Sequence, residues 1–248
     1  MNARGIAAVI AAAIMASACA AQPATVPVKA PNQSAPTVYA ALGASETYGI
    51  GAEDRYRQAW PQVFYNDSLP SSAVLYNFGI PSATTAQALK DELPAALAVR
   101  PTVATVWLNV NDLVQGVSPS DYAAQLRQLV HALRRGGKAR VLVANIPDLR
   151  QLPAYKACLP NAPDTGASCL LPSGPLPSSG PIVDLINAYN QAIAQVTAQE
   201  GATLVDLNAQ SASIAQHPEW ISSDGFHPNA AGYLAVAHAF ESAYRKSS

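Results

Sequence analysis

The sequence predicts an α/β fold: a three-layer α/β/α arrangement around a doubly wound sheet of about five parallel strands. Short and nearly continuous apolar runs recur along the chain, as expected for strands that are covered on both faces. Segments with helical spacing separate these runs, and such alternation is typical of right-handed β-α-β crossovers. With 248 residues, half of them hydrophobic, the chain can bury one sizeable core.

Five apolar runs rich in β-branched and aromatic residues are the predicted strands. In chain order they cover residues 37–43, 73–79, 102–110, 139–147 and 202–208. No internal repeat interrupts this succession, so a single domain over residues 37–248 is expected.

Apolar stripes at helical spacing predict the helices between and after these strands. One helix begins at Ser118-Pro119, a cap followed by a first-turn proline, and Gly136-Gly137 ends it. A second helix follows the stripe in 182–196, and a third covers 233–246 with basic residues at its C-terminus. The helical segment 84–99 is expected to break or restart at Pro94.

The first 18 residues have the pattern of an export signal peptide. Arg4 provides a positive start, an apolar run follows, and residues 16–18 are small, as signal peptidases require. The run is shorter than the roughly 20 apolar residues that span a bilayer. Because Cys19 follows directly, the segment resembles a bacterial lipoprotein signal, which implies a lipid on Cys19. Plain secretion stays open, since Ala16 stands where such signals usually have leucine.

Residues 19–36 are rich in proline and alanine and are expected to form a tether between this anchor and the domain. The predicted location is therefore the cell envelope, with membrane contact only through a lipid anchor on Cys19.

The remaining two cysteines, Cys158 and Cys169, are expected to form a disulfide, because exported proteins oxidise their thiols. Two buried free thiols are the alternative. Both cysteines lie in segment 151–181, which holds seven prolines and has no strand or helix period. We expect this segment to be a long, ordered loop that starts at the edge of the sheet where the fourth strand ends.

The charge pattern narrows the class of partner. Fifteen basic and sixteen acidic residues give a net charge of −1, without a basic cluster. A nucleic-acid partner is therefore not expected, whereas a neutral or weakly charged partner fits this charge balance.

Polar residues follow the predicted strands at the edge where parallel α/β sheets bind ligands. Ser45 comes after the first strand, Gly79 after the second and Asn111 after the third, while Asp224 and His227 precede the last helix. A serine hydroxyl becomes nucleophilic when a histidine takes its proton and a carboxylate orients that histidine. The N–H groups of Ser45 and Gly79 and the Asn111 side-chain amide are candidate oxyanion donors.

These stretches, GASET, FGIPSA, NVNDL and SSDGFHPN, resemble the four blocks of the GDSL family, also called SGNH hydrolases, in their usual order. The resemblance implies Ser45 as nucleophile, Asp224 and His227 as the other triad members, and Ser45, Gly79 and Asn111 in the oxyanion hole. It also implies a flavodoxin-like fold and neither a metal nor an organic cofactor.

The chain departs from the family pattern at two positions, Ala44 and Asn109. Ala44 replaces the aspartate that usually precedes the serine, Glu46 follows the serine, and Asn109 replaces a usual glycine in the third block. Asp112 is a competing carboxylate that we expect to brace its own turn, and Trp220 is a candidate for the site wall. The departures at Ala44 and Asn109 put the choice of substrate in question.

The expected function is that of an exported serine ester hydrolase that cleaves carboxylic esters, with short acyl or acetyl esters favoured, through an acyl-enzyme. A lysophospholipase or thioesterase is an alternative within the family, and a non-catalytic glycan-binding module of the cell envelope is the competing class. Gly49 and Gly51 do not indicate a nucleotide site, because Asp54 stands where the third glycine of the fingerprint is needed. No cysteine or histidine cluster has zinc-ligand spacing.

Overall fold

The computed structural model describes residues 36–160, 166–169 and 180–246. The predicted signal peptide, Cys19 and all of the predicted tether except Pro36 lie outside the described residues.

The described part of the chain contains a five-stranded parallel sheet, as the sequence predicts. The strands are β1 (Val38–Gly43), β2 (Val74–Asn77), β3 (Val103–Trp107), β4 (Arg140–Ala144) and β5 (Thr203–Val205). They are arranged in the order β2-β1-β3-β4-β5, and every neighbouring pair is parallel. The strand order therefore reverses between β1 and β3, as in flavodoxin-like sheets.

Helices connect the strands and cover both faces of the sheet. They are α1 (Ser45–Tyr48), α2 (Arg55–Gln58), α3 (Trp60–Ser68), α4 (Thr85–Asp91), α5 (Leu93–Ala98), α6 (Val110–Val114), α7 (Pro119–Arg134), α8 (Pro153–Lys156), α9 (Gly180–Glu200), α10 (Ser211–Gln216) and α11 (Ala230–Lys246). Ser118 caps α7 by accepting the Asp121 N–H, and the break before Pro94 separates α4 from α5.

The alternation of side chains along β1 divides the core into two layers. Ala40 and Leu42 face the layer that contains α4, α5, α7 and α9, whereas Tyr39 and Ala41 face α3 and α11. In the second layer Trp60 stacks on Phe240, with ring centroids 4.1 Å apart. Burial of each such large side chain contributes about 1.5–3 kcal/mol, so both layers hold the sheet firmly.

Two expectations about these elements are wrong. The second apolar run is an edge strand with Val74 and Tyr76 exposed, because β2 pairs with β1 alone. Segment 151–181 is not without helical structure: α8 follows Leu152, and α9 already begins at Gly180.

None of the helices in the described part of the chain combines the length and the hydropathy needed to cross a bilayer.

Candidate active site

The candidate site lies at the carboxyl ends of β1 and β3, where the strand order reverses. Open parallel sheets bind ligands at this position because the loops on either side diverge and leave a crevice. Ser45 follows β1 directly, and Asn109 and Asn111 follow β3.

The serine turn, residues 43–49, presents Ser45 as the first residue of α1. Ala44 occupies the N-cap and no side chain caps the helix, so the Ser45 hydroxyl is not itself a helix cap. The Ser45 N–H is a first-turn amide, which has no carbonyl partner within its helix. Glycine is required at position 43, since an added Cβ would lie 2.0 Å from Thr47 Oγ1 and 2.8 Å from the Trp107 carbonyl oxygen.

Glu46 lies directly against the candidate nucleophile. The Ser45 hydroxyl donates to Glu46 Oε2 at 3.3 Å, and both residues are only 8% exposed. Burial raises the pKa of Glu46, whereas the nearby charge of His227 lowers it. Glu46 is therefore next to Ser45 and within electrostatic reach of His227. The sequence shows Glu46 only as the residue that follows Ser45 and gives it no role.

The histidine turn, residues 222–229, brings Asp224 and His227 together as predicted. Asp224 Oδ2 accepts from His227 Nδ1 at 2.5 Å, while Oδ1 accepts from Ser222 Oγ at 2.8 Å and from the N–H groups of Phe226 and His227. Partial burial by itself would raise the pKa of Asp224, but these donors lower it to about 2. The carboxylate therefore stays ionised at neutral pH.

The second ring nitrogen of His227 is available for a proton. With Nδ1 donating to Asp224, the neutral ring carries its lone pair on Nε2. Nε2 is buried and has no hydrogen-bond partner among the described residues. No hydrogen bond joins Nε2 to the Ser45 hydroxyl, which donates to Glu46, so the role of His227 as general base stays a prediction.

The loop after α1 connects the serine turn with the histidine turn. A Cβ on Gly51 would lie 2.4 Å from the Pro228 carbonyl oxygen and 3.0 Å from His227 Cβ, so the backbone passes directly beside the histidine. The Tyr233 hydroxyl of α11 donates to the Ile50 carbonyl and holds this loop against α11.

Gly79 lies against α1, although its role as an oxyanion donor stays a prediction. A Cβ at this position would lie 2.7 Å from Tyr48 N, so the close approach of α1 requires glycine here. The Gly79 N–H donates to Asn77 Oδ1 at 2.9 Å, and Asn77 Nδ2 in turn donates to the Thr47 carbonyl.

The side-chain amide of Asn111 has one hydrogen that its bond to Ala83 does not use. Its Nδ2 donates one hydrogen to the Ala83 carbonyl at 3.0 Å, and an amide nitrogen carries two hydrogens. Asn109 is instead buried and donates to the Ala144 carbonyl at the end of β4, which joins the ends of two neighbouring strands.

The Asp112 carboxyl interacts with its own backbone N–H, as expected for a residue that braces its own turn, and it also holds a neighbouring helix, which the sequence does not indicate. It accepts the Thr85 N–H and the Thr85 hydroxyl at the start of α4. Burial raises the pKa of Asp112 to about 6, although both donors oppose the rise.

The buried Glu92 carboxyl supports the serine turn, and the sequence does not indicate this contact. Glu92 Oε2 accepts the Gly43 N–H at 2.8 Å, two residues before Ser45. Burial raises the pKa of Glu92 to about 8, so this carboxyl is protonated at neutral pH. A glutamate 49 positions away from Gly43 along the chain carries no local signal of this contact.

The predicted disulfide between Cys158 and Cys169 is present, with its sulfurs 2.05 Å apart. Its loop reaches the histidine turn, because a Cβ on Gly225 would lie 2.6 Å from Ala167 Cβ. The Gly225 carbonyl also accepts the Ala154 N–H of α8 at 2.9 Å.

A cavity of about 270 Å³ opens beside Glu46. Trp107, Trp220 and Phe226 contribute aromatic walls. The lining includes none of the predicted triad or oxyanion residues, so the expectation that Trp220 borders the site stays a prediction. Within residues 36–160, 166–169 and 180–246, no group of three or more histidine, cysteine, aspartate or glutamate side chains is placed to hold a metal.

A flavodoxin-like parallel sheet with a serine after β1 and an Asp–His pair before the last helix defines a class of α/β hydrolytic enzymes. Residues 41–235, well over half of the chain, match the family described as GDSL-like lipase/acylhydrolase. The chain belongs to this family of esterase- and lipase-type hydrolases.

Several solved structures share the fold. The crystal structure of TesA is 21% identical with a TM-score of 0.63, and the match covers 86% of this chain and 100% of TesA. The psychrotrophic esterase EstA from Pseudoalteromonas sp. is 18% identical, with a TM-score of 0.60 and coverages of 85% and 97%. A variant of Axe2, an acetyl-xylooligosaccharide esterase from Geobacillus, is 17% identical, with a TM-score of 0.59 and coverages of 82% and 92%. Comparison with curated protein sequences gives no match.

Proposed function

We propose that this chain is an exported serine hydrolase that cleaves carboxylic esters, preferably short acyl or acetyl esters, through an acyl-enzyme. The observation that carries the proposal is the histidine turn: Asp224 holds His227 Nδ1, and the opposite nitrogen is buried and unpartnered among the described residues. Glu46 joins this turn to Ser45, since it accepts the serine hydroxyl and interacts electrostatically with His227.

We infer the following reaction from these residues and from the chemistry of serine hydrolases. A bound ester displaces the Ser45 hydroxyl from Glu46, the hydroxyl transfers its proton to His227 Nε2, and Oγ attacks the ester carbonyl. His227 then returns the proton to the leaving alcohol, and water discharges the acyl group by the same steps in reverse order. Asp224 stabilises the charged imidazolium, for which its ionised state is required.

The oxyanion of the tetrahedral intermediate is held by the Ser45 N–H, the Gly79 N–H and the second amide hydrogen of Asn111. The Gly79 N–H donates to Asn77 in the absence of substrate, and the developing oxyanion replaces Asn77 Oδ1 as its acceptor. Such donors each contribute about 3 to 4 kcal/mol to transition-state stabilisation.

Export is supported by the signal-like N-terminus and by the disulfide between Cys158 and Cys169, which is typical of oxidising compartments. Lipidation of Cys19 would anchor the domain in the cell envelope, and secretion without a lipid is the alternative.

The preference for small acyl groups is supported by fold similarity to Axe2, which is described as an acetyl-xylooligosaccharide esterase. A nearly neutral chain also suits an uncharged glycan ester or a small ester better than a polyanion.

The test is hydrolysis of p-nitrophenyl esters, from acetate to long acyl chains, by the full chain and by its Ser45→Ala and His227→Ala variants. A His131→Ala variant is the matched control, because His131 is an exposed histidine on α7 that pairs with Glu200. The proposal expects activity in the wild type and the control, and its loss in both site variants.

The chain-length profile separates the remaining possibilities. Highest activity on acetate supports the acetyl-esterase proposal, whereas a preference for long chains indicates the lysophospholipase alternative. A folded but inactive wild type that binds a glycan would overturn the proposal in favour of a binding module.

A further inference from the structure

The Ser45 hydroxyl is held by the residue that follows it and not by the predicted base. It donates to Glu46 Oε2 at 3.3 Å, and both residues are only 8% exposed. His227 Nε2, the nitrogen expected to take the serine proton, is buried and has no hydrogen-bond partner among the described residues. The hydroxyl is therefore bonded to a different acceptor, while the base is unused.

The Glu46 side chain is fixed over the first turn of α1. Its carboxyl interacts with its own backbone N–H as well as with the Ser45 hydroxyl. Burial raises the pKa of Glu46, and the charge of His227 and these two hydrogen bonds oppose the rise. Asp224 and Tyr233 also interact electrostatically with Glu46. Contacts within the same turn thus hold the Glu46 carboxyl close to Ser45.

The single hydrogen of the Ser45 hydroxyl cannot serve both acceptors. A hydrogen bond to Glu46 excludes the hydrogen bond to His227 Nε2 that proton transfer requires. When only a fraction of a protein is in the binding-competent state, its apparent affinity for a ligand falls by that fraction. The hydrogen bond to Glu46 reduces the competent fraction in this way.

We infer that Glu46 is a positioning residue that restrains the nucleophile: it holds the Ser45 hydroxyl away from His227 until a bound ester displaces it. This inference rests on the proposed function and deepens it by naming how the same site is regulated. The displacement exchanges one hydrogen bond for another and leaves the bonds broken and formed in hydrolysis unchanged. Because the exchange accompanies substrate binding, its cost raises KM and does not enter kcat.

The test compares Glu46→Gln with Glu46→Met, two uncharged side chains of similar length. Glutamine keeps an oxygen that accepts the hydroxyl, whereas the thioether of methionine accepts only weakly. Both variants remove the same charge near His227, so the difference between them reports on the hydrogen bond alone. Methionine is expected to be tolerated, because Glu46 borders a cavity with largely aliphatic and aromatic walls.

Labelling of the full chain by an alkyl phosphonate ester measures the reactivity of Ser45. Glu46→Met is expected to react about fivefold faster than Glu46→Gln, because it lacks one neutral hydrogen bond to the hydroxyl. General damage to the site would slow the reaction, so a gain in rate is specific to release of the hydroxyl. Equal rates, or slower labelling of Glu46→Met, would overturn the inference. Glu53→Gln, at an exposed position in the next loop, is the control and should react as wild type does.

Ester hydrolysis by the same two variants separates binding from chemistry. Glu46→Met should have a KM about fivefold lower than that of Glu46→Gln, at equal kcat, because the substrate no longer has to displace the hydroxyl. A merely structural role would change kcat as well. A difference confined to kcat would contradict the restraint.

A further measurement on the same contact needs no enzymatic activity. Burial raises the pKa of Glu46, and the Ser45 hydroxyl counteracts this by donating to the carboxylate. Ser45→Ala should therefore raise the pH at which the Glu46 carboxyl titrates in NMR spectra. Ser118→Ala, which removes a hydroxyl that donates to Asp121, is the control and should leave that pH unchanged. An unchanged titration in Ser45→Ala would overturn the inference.

The outcomes separate this inference from the proposed function. If Glu46→Met is labelled faster than Glu46→Gln but no ester is hydrolysed, the esterase proposal fails and the restraint stands. If esters are hydrolysed but the two variants do not differ, and the Glu46 titration does not respond to Ser45→Ala, the esterase stands and the restraint fails.

Discussion

The two turns that form the candidate site are built differently. The serine turn is part of the core: it continues β1, Ser45 is almost fully buried, and Glu92 holds the Gly43 amide from below. The histidine turn lies in a loop between α10 and α11, where the Asp224 side chain is 42% exposed and organises the backbone through its own oxygens.

Because of this difference, folding stability and catalytic activity should respond differently to changes in the two turns. Changes in the serine turn disturb close packing, so they should cost stability and activity together. Changes in the histidine turn remove interactions that matter for proton transfer and contribute little to the core. Four variants test this difference between the two turns.

Asp224→Asn should reduce kcat by about 10⁴-fold, because an amide at this position donates to Nδ1 and leaves Nε2 protonated and unable to act as a base. The free energy of unfolding should fall by less than about 1 kcal/mol, since the asparagine side chain keeps an oxygen for the backbone donors. Steady-state kinetics and urea denaturation measure the two effects. Asp184→Asn, at an exposed position on α9, is the control, and a stability loss that explains the lost activity would break the comparison.

Gly43→Ala should lower the free energy of unfolding by about 3 kcal/mol, because the added Cβ meets both Thr47 and the Trp107 backbone. Gly116→Ala is the matched control. Its Cβ would have no atom within 4 Å, so only its positive φ of 76° is strained, at about 1 kcal/mol. Equal losses in the two variants, measured by urea denaturation, would show that the serine turn is not closely packed.

Removal of the disulfide by the Cys158→Ser, Cys169→Ser double variant should cost about 2.5 kcal/mol, as expected for closure of a short loop. Activity should fall as well, because the disulfide loop packs on Gly225 in the histidine turn. Thermal unfolding and ester hydrolysis test both effects, and reduced wild type should reproduce the double variant. Unchanged activity after loss of the disulfide would show that the loop does not support the histidine.

Glu92→Gln should flatten the dependence of stability on pH. Burial raises the pKa of Glu92 from 4.5 to about 8 in the folded protein, so between these two values the folded state binds more protons than the unfolded state. Stability therefore falls as the pH rises through this window, by up to about 1.4 kcal/mol per pH unit for one proton. Denaturation series from about pH 5 to about pH 8 should show a steeper slope in wild type and in Glu53→Gln than in Glu92→Gln, where the raised pKa values of Asp112 and Glu46 leave a smaller slope.

Much of the fold could be predicted from the sequence because its main signals are local. Continuous apolar runs predicted all five strands, and the stripes in α7, α9 and α11 predicted those helices, since burial imposes a period on neighbouring residues. The exposure of β2 could not be predicted in this way, because a strand's place in the sheet depends on its partners rather than on its own pattern.

In the site, too, contacts between residues close in sequence could be predicted, whereas contacts between distant segments could not. Asp224 and His227 are three residues apart, so their hydrogen bond could be expected from the sequence. The partners of Asp112 and Glu92 are contacts between distant segments, and no pattern near either residue indicates them. Glu46 was visible only as an unusual neighbour of Ser45.

Covalent labelling of the full chain with an alkyl phosphonate ester, followed by mass mapping of the modified residue, tests whether Ser45 is the nucleophile. We expect a single adduct on Ser45, formed rapidly in wild type, slowly in His227→Ala and not at all in Ser45→Ala. Rapid labelling that persists in folded Ser45→Ala, or a folded wild type that does not react, would contradict the assignment of Ser45 as the nucleophile activated by His227.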